Sequence, residues 1–264
     1  MFNQDHNRDY IVQFPDRGPY YLSQESVTMK PHRKQHNRFS LRETATTTQS
    51  PHLWYSPEEV LKALKLFLDS GDKLEGSLTY RYDLVDLTRQ VLSKLGNQIY
   101  LDVMVAYIEK DVNALTLRSQ KLTELIKDID TLLASDDNFL LGTWLESAKS
   151  LATNQKERKQ YEWNARTQVT MWFDNTETNQ SRLHDYANKC WSGLLESYYL
   201  PRASMYFSYL LESLRQGVHF PLEMWRREWI SYSNKWQSGE ELYPTKAIGN
   251  SHAIAKELAA KYFT

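Results

Sequence analysis

The chain has 264 residues, of which 41% are hydrophobic and 25% are charged, a composition typical of soluble globular proteins rather than disordered ones. Its formal net charge is −1, which disfavours a nucleic-acid binder because phosphate neutralisation usually requires a basic excess. The single cysteine, Cys190, excludes an intramolecular disulfide, and its place in a helical pattern predicts a small buried apolar side chain.

Residues 1–52 differ from the rest of the chain. A short extended candidate, "YIVQF", is followed by a polar, basic, threonine-rich run without periodicity, which predicts an extended or flexible segment. The first ten residues lack the apolar run of a signal peptide, and no apolar stretch reaches membrane-spanning length. Read literally, this start predicts a chain that remains in the cytosol and has no membrane partner.

From Ser56 onward the patterns are helical. The stretch "SPEEVLKALKLFLDSGD" places a serine N-cap before Pro57 and two acids in the first helical turn. Apolar residues three and four apart predict a helix of about seven turns around Leu84 to Ala106. With Asp111 as its N-cap, a second long helix is predicted over the apolar stripe 115–133.

Further helical patterns occupy the C-terminal half. We expect a short helix at 142–151, a loop at "GEELYPTKAIG", a terminal helix through Leu258, and four segments near 156–173, 184–199, 202–215 and 222–236. The absence of strand–helix alternation excludes a parallel-sheet core. The sequence therefore predicts an all-α fold, an irregular bundle of about seven to nine helices that forms one domain over residues 53–264.

The residues themselves indicate no reactive centre. The seven histidines are scattered, and neither a glycine-rich phosphate loop nor a nucleophile elbow occurs, so we predict no metal and no cofactor. Paired acids such as Asp136 and Asp137 could belong to a glycosidase, but their position at a helix end is explained by capping and the helix dipole. Arg89 and Arg166 are interpreted as structural ion partners.

The densest run of aromatic rings, amides and charges is "YEWNARTQVTMWFDNTETNQSRLHDYANKCWSGLL", from Tyr161 to Leu195. Aromatic residues make up 13% of the chain, and large amphipathic rings are common where sugars or flat ligands stack. Trp and Tyr also bury well once their polar atoms find partners. On composition alone the run is therefore either a pocket wall or a piece of core.

Four segments resemble the C-terminal helical region of the alpha-N-acetylglucosaminidases of glycoside hydrolase family 89, above all its plant members. They are "TYRYDLVDLTRQVL", "LLASDDNFLLGTWLESAK", "YEWNARTQVTMW" and "LHDYANKCWSGLLESYYLPR". The resemblance runs from about Trp54 to Phe263, in order and with matching spacing. A weaker likeness extends upstream, where "MFNQDHNRDYIVQFPD" is similar to the segment that follows the family's catalytic barrel.

The resemblance implies a lysosomal, vacuolar or secreted enzyme with a small N-terminal domain, a (β/α)₈ barrel and a helical domain. Such an enzyme removes terminal α-linked N-acetylglucosamine with retention of configuration, in animals from heparan sulfate, by means of two glutamates in the barrel. The implied partners are thus that barrel and a glycan that ends in N-acetylglucosamine. Both glutamates are expected upstream of residue 1, so no catalytic residue is assigned here and the chain alone is expected to lack activity.

The resemblance also implies which residues contact the sugar. Trp172 and Tyr186 match a pocket Trp and a pocket Tyr, Leu183 matches an aliphatic wall position, and His6 matches a pocket His in the weaker region. A Trp face can pack on the C–H surface of a pyranose, and Tyr or His can form hydrogen bonds with its hydroxyls. The alternative is a stand-alone helical interaction module, in which the former barrel-facing surface binds another protein.

Overall fold

A computed structural model describes residues 57–74, 76–174, 183–185 and 187–263. The segment predicted to be extended or flexible, 1–52, and the division at its end lie outside the described residues. The regular elements of the described part are helices, apart from one two-stranded hairpin, which confirms the predicted all-α irregular bundle. Its α-helices are α1 (Pro57–Asp69), α2 (Gly71–Leu74), α3 (Leu78–Ile108), α4 (Val112–Leu133), α5 (Leu141–Ser150), α6 (Gln155–Gln168), α7 (Leu200–Gln216), α8 (Leu222–Gln237) and α9 (Ser251–Phe263).

Three short elements complete the chain trace. A 3₁₀ turn covers Asp137–Phe139, and a single π-helical turn at Leu195–Tyr199 leads directly into α7. The strands β1 (Met171–Phe173) and β2 (Leu183–His184) pair antiparallel. All three lie between helices, so the helical layers meet through irregular connections rather than through tight turns.

The helices α3 and α4 form the scaffold of the bundle. Each begins at a side-chain cap, because Ser77 accepts a hydrogen bond from the Tyr80 amide and Asp111 accepts one from the Ala114 amide. Between them Lys110 has a left-handed φ of 59°, which reverses the chain direction. Helices α1 and α9 pack on α3, and α7 and the π turn pack on α4. The predicted apolar stripes of both long helices are buried in this core.

The aromatic residues of the core satisfy most of their polar atoms internally. The Tyr107 hydroxyl lies 3.0 Å from the Ser213 hydroxyl, and Tyr198 and Ser233 form a similar pair at 2.9 Å. Many of the aromatic residues therefore belong to the core, which was one of the two interpretations of the sequence.

The capping and ion-pair interpretations are confirmed. Asp136 caps the 3₁₀ turn through the Asn138 amide and pairs with Arg81 at 3.1 Å, while Asp137 accepts a hydrogen bond from the Ala247 amide. Arg89 pairs with Asp86 at 2.7 Å, and the buried Arg166 pairs with Glu162 at 2.8 Å. These charges hold helix ends and neighbouring segments together.

Two helical predictions are partly wrong. The helix expected to continue to residue 173 ends at Gln168 and is followed by a strand. The segment 184–199 is helical only from its last turns, because Asp185 (φ 52°) and Gly193 (φ 84°) have left-handed backbone angles that a right-handed helix excludes. Cys190, expected in a helix, lies in this irregular stretch and is half-buried against the core.

The loop after α8 approaches the backbone of α5 at Gly142. A Cβ atom added there would lie 2.2 Å from the carbonyl oxygen of Pro244 and 2.5 Å from that of Tyr243. Both contacts are with backbone atoms, so a side chain at this position must displace the loop. The residue type is therefore fixed by packing rather than by helix propensity.

We predict that Gly142→Ala lowers the free energy of unfolding by about 1–3 kcal/mol, the usual cost of overpacking. Urea denaturation followed by circular dichroism measures the change. Gly76→Ala is the matched control, because a Cβ atom at Gly76 meets nothing within 4 Å. Equal stability of the two variants would contradict the close approach at Gly142.

Candidate functional site

The hairpin between α6 and α7 carries the candidate site. Its first strand follows α6 directly, where the buried Thr170 donates its hydroxyl hydrogen to the Arg166 carbonyl. Met171 pairs with His184 and Phe173 pairs with Leu183, with an irregularity of register between the two pairs. Trp172 therefore lies at a bulge, a feature that redirects a side chain out of a regular ladder.

The indole of Trp172 is held by the chain itself. Its Nε1–H donates to the Gln168 carbonyl oxygen at 2.6 Å, while the side chain remains 40% exposed. Because the N–H already donates to Gln168, this side chain can offer a ligand its aromatic ring but not a hydrogen-bond donor. Among described neighbours, the adjacent Phe173 is also exposed, so the edge of the hairpin is aromatic.

Two buried side chains of α8 fix the strand on either side of Trp172. Gln237, only 3% exposed, donates from Nε2 to the Met171 carbonyl at 2.7 Å and to the Thr170 hydroxyl at 3.1 Å. Beyond the tryptophan, Asp174 forms a buried ion pair with Arg226 at 2.5 Å. The strand is short, yet its backbone is anchored at both ends.

A second buried ion pair fixes the exit of the hairpin. Nη1 of Arg202 lies 3.0 and 2.8 Å from the two carboxylate oxygens of Asp185, and its guanidinium covers the Trp229 ring at 4.2 Å. Burial opposes the charge of Arg202, but the Asp185 carboxylate raises the net pKa of the guanidinium above its ordinary value. The Asp185 amide also donates to the Thr170 carbonyl at 2.9 Å.

The buried tyrosines beside this pair act as neutral hydrogen-bonding groups. Burial raises the pKa of Tyr199 well above its ordinary value, and its hydroxyl contacts the Val169 carbonyl at 3.3 Å. Tyr198 has a raised pKa for the same reason, and it lies edge-on to Tyr199. Neither phenol therefore provides a base or a nucleophile at neutral pH.

The loop that follows the hairpin is tied to α4 by one carboxylate. Asp130 accepts hydrogen bonds from the Ser192 hydroxyl and from the amides of Gly193 and Glu196, at 2.8 to 3.0 Å. Burial raises the pKa of Asp130 to about 6, and these three hydrogen bonds oppose that rise. Among the described residues, no cation contacts this carboxylate.

The structure brings two of the sequence-predicted site residues onto neighbouring strands. Trp172 lies on β1, and Leu183 lies on β2, where its backbone pairs with Phe173. Tyr186 follows the anchored Asp185 but lies outside the described residues, as does His6. The sugar contacts implied for all four remain predictions.

The anchoring residues Gln237, Arg226, Asp185 and Arg202 were not identified from the sequence. Arg202 carried a usable signal, because it lies four residues before Tyr206 on the buried face of α7. A cation on an apolar helix face requires a buried anion. The position of that anion could not be read from the local pattern.

The described residues contain no group of three or more His, Cys, Asp or Glu side chains arranged to hold a metal ion. Within the same residues, no helix combines the length and apolarity that a membrane span requires. The described part of the site thus consists of an aromatic hairpin edge that buried ion pairs anchor, rather than of reactive groups.

Comparison with known proteins points to one family. The sequence model described as the C-terminal domain of alpha-N-acetylglucosaminidase matches residues 6–261. The human alpha-N-acetylglucosaminidase is 33% identical over 266 aligned residues, which cover 97% of this chain and 34% of the human protein. The chain therefore spans about a third of the length of this curated relative.

Solved structures give the same result for the fold. A family 89 glycoside hydrolase from Clostridium perfringens, in complex with 2-acetamido-1,2-dideoxynojirimycin, is 29% identical with a TM-score of 0.72, over 80% of this chain and 24% of that one. A family 89 structure from the same organism, in complex with its substrate GlcNAc-alpha-1,4-galactose, is 25% identical with a TM-score of 0.71. That match covers 98% of this chain and 30% of the other.

We predict that the stability of Asp130→Asn relative to the wild-type chain increases as the pH rises from acidic to neutral. The raised folded-state pKa means that the group's favourable contribution is complete below pH 3.8 and is lost as the pH rises through about 6. An Asn retains the acceptor for both amides and does not titrate. Between pH 4 and 7.5, the difference in unfolding free energy between variant and wild type should move in favour of the variant by on the order of 2–3 kcal/mol.

Urea denaturation at both pH values measures this difference. Ser192→Ala is the control, because it removes one hydrogen bond to Asp130 but leaves the carboxylate in place, so the pH dependence should persist. A variant–wild-type difference that does not change with pH for Asp130→Asn would contradict the prediction.

Proposed function

Because this chain belongs to the family of alpha-N-acetylglucosaminidase C-terminal domains, we propose that it supplies one wall of the sugar pocket of such an enzyme. The reaction is hydrolysis of terminal α-linked N-acetylglucosamine with retention of configuration, which uses two carboxyl groups about 5 Å apart. Both are assigned to a (β/α)₈ barrel domain of the same enzyme. The contribution of this chain is binding and shape rather than proton transfer.

The observation that supports this proposal most is that Trp172 is partly exposed on an anchored strand. Its indole N–H is occupied by Gln168, its ring is 40% exposed, and its strand is anchored by Gln237 and Arg226. A ring held in this way can stack on the C–H face of a pyranose without losing much conformational freedom on binding. A core tryptophan would instead be enclosed, as Trp225 and Trp229 are.

The other pocket residues are proposed on the same hairpin and upstream of it. Leu183, on the strand that pairs with β1, is proposed as an aliphatic wall position. Tyr186 directly follows Asp185, which the Arg202 pair fixes, and would offer its hydroxyl to a sugar hydroxyl. His6 would do the same from the segment that joins the barrel.

Similar proteins support the choice of sugar. The Clostridium perfringens family 89 hydrolase is complexed with its substrate GlcNAc-alpha-1,4-galactose, and this chain shares 25% identity with it over 98% of its own length. We extend the proposal to an enzyme of the lysosome, the vacuole or the extracellular space, with heparan sulfate as the glycan in animals. This extension rests on the family resemblance.

The proposal predicts that the isolated chain does not hydrolyse 4-nitrophenyl α-N-acetylglucosaminide, because the two catalytic carboxyl groups are assigned to the barrel. Release of nitrophenol is followed by absorbance, with a complete family 89 enzyme as the positive control. Turnover by the isolated chain that survives repeated purification would overturn the assignment of catalysis to the barrel.

A second prediction concerns Trp172 in a complete enzyme. In a chimera in which this chain replaces the matching region of the human enzyme, Trp172→Ala should lower kcat/KM for the same substrate by about 10- to 100-fold, because a stacking surface is lost. Trp172→Phe should retain most of the activity. The chimera with the unaltered chain provides the reference.

The matched control is Leu151→Ala, which shortens another exposed apolar side chain at the end of α5 and should leave kcat/KM unchanged. Circular dichroism of each chimera checks that the fold is intact. Unchanged kcat/KM in a folded Trp172→Ala chimera would show that this side chain does not form the pocket wall.

A further inference from the structure

A groove lies between α6 and the end of α8, on a part of the chain that the proposed pocket wall does not use. Its cavity volume is about 340 Å³, and its lining includes Trp163, Lys156, Lys159, Gln160 and Glu240. This volume is at the lower end of the range of about 300–1,000 Å³ that small-molecule sites occupy. We call it the α6–α8 groove.

One face of α6 forms the long side of the groove. Lys159 and Gln160 lie three and four residues after Lys156, and Trp163 lies four and three residues after them, so the four side chains line the same surface of the helix. The opposite side is formed by Ser238 to Glu240, where the chain leaves α8. The groove is therefore built from a regular helix and the end of another, both packed on the core.

Trp163 differs from Trp144 and Trp172 in its hydrogen bonding. The indole N–H groups of Trp144 and Trp172 donate to the carbonyls of Ala165 and Gln168. The indole of Trp163 is 42% exposed, and its N–H has no acceptor among the described residues. This side chain thus offers a ring face and a hydrogen-bond donor to the same space.

The charged side chains of the groove differ in whether they form ion pairs. Lys159 and Glu240 form an ion pair across it at 2.7 Å, and Glu162 is paired with the buried Arg166. Lys156 also lines the groove, and its ammonium group forms no ion pair with any residue that the structure describes. One positive charge therefore remains available at the N-terminal end of the groove.

We propose that the α6–α8 groove is a second carbohydrate site, which binds one saccharide unit that carries an anionic group. The pyranose ring stacks on Trp163, and the indole N–H donates to a ring substituent. Hydroxyl groups accept from Lys159 and donate to Glu240, since a hydroxyl is both donor and acceptor. The anionic substituent lies against Lys156.

The mixed lining distinguishes a sugar from other flat anions. A ligand with several phosphates would place negative charge near the carboxylates of Glu162 and Glu240, which is unfavourable. A saccharide with one sulfate or carboxylate requires one cation and several donor–acceptor pairs, which is what the groove contains. The sugar contacts proposed for the groove are made by residues other than those proposed for the pocket wall at Trp172.

The test is a titration of the isotopically labelled full chain with N-acetylglucosamine 6-sulfate and, separately, with N-acetylglucosamine. NMR observes the indole N–H signals, and the Trp163→Phe variant assigns that of residue 163. We expect this signal to shift with both sugars and the sulfated sugar to bind more tightly. Trp163→Ala should weaken binding of the sulfated sugar by about tenfold or more.

Lys156→Gln should remove the preference for the sulfated sugar, while the control Lys256→Gln, an exposed lysine of α9, should keep it. Circular dichroism confirms that the variants are folded. A Trp163 signal that does not move at millimolar sugar, or unchanged affinity in folded Trp163→Ala, overturns the site. Equal binding of the two sugars by the wild-type chain overturns its preference for anionic saccharides.

Discussion

The fold depends on the burial of a guanidinium group among aromatic rings. Arg202 has no exposed surface, and its charge is balanced by both carboxylate oxygens of Asp185. Removing a charge from water costs several kcal/mol unless a partner compensates it, so Asp185 must occupy this position in every folded molecule. Its left-handed backbone is accepted for that reason, and the chain around it cannot continue as a helix. The irregular path from the hairpin to α7 begins at this pairing.

The same rule explains why so short a hairpin is stable. Two strands of three and two residues would not persist alone in water. Here the ion pairs Asp174–Arg226 and Asp185–Arg202, together with the Gln237 amide, attach the strands to α8 and α7. The hairpin is thus held mainly by contacts with helices rather than by its own ladder. Because these contacts are buried, Trp172 at the bulge is presented in a fixed orientation, which favours recognition of a rigid ligand.

The sequence revealed what depends on local periodicity and missed what depends on distant pairs. The stripes of α3 and α4 repeat every three to four residues, and their caps are within three residues of the helix start, so both helices could be predicted. The hairpin could not, because "RTQVTMW" satisfies a helical pattern and the anchors of its strands come from residues 52 and 66 positions later. Family resemblance predicted sugar contacts at Trp172 and Leu183, which remain predictions, and no local pattern distinguishes the buried Gln237 from the exposed polar residues around it in α8.

Gln237 also links the α6–α8 groove to the hairpin that carries Trp172. It lines the α6–α8 groove, and its amide holds the Met171 carbonyl next to Trp172. This side chain is 3% exposed and donates two hydrogen bonds from its nitrogen, so it joins the groove lining to the hairpin. The two tryptophans nevertheless differ chemically, because the indole N–H of Trp172 donates to Gln168, whereas that of Trp163 has no acceptor among the described residues and Lys156 lines the same groove. The end of α8 thus contacts both surfaces that we propose as glycan-binding.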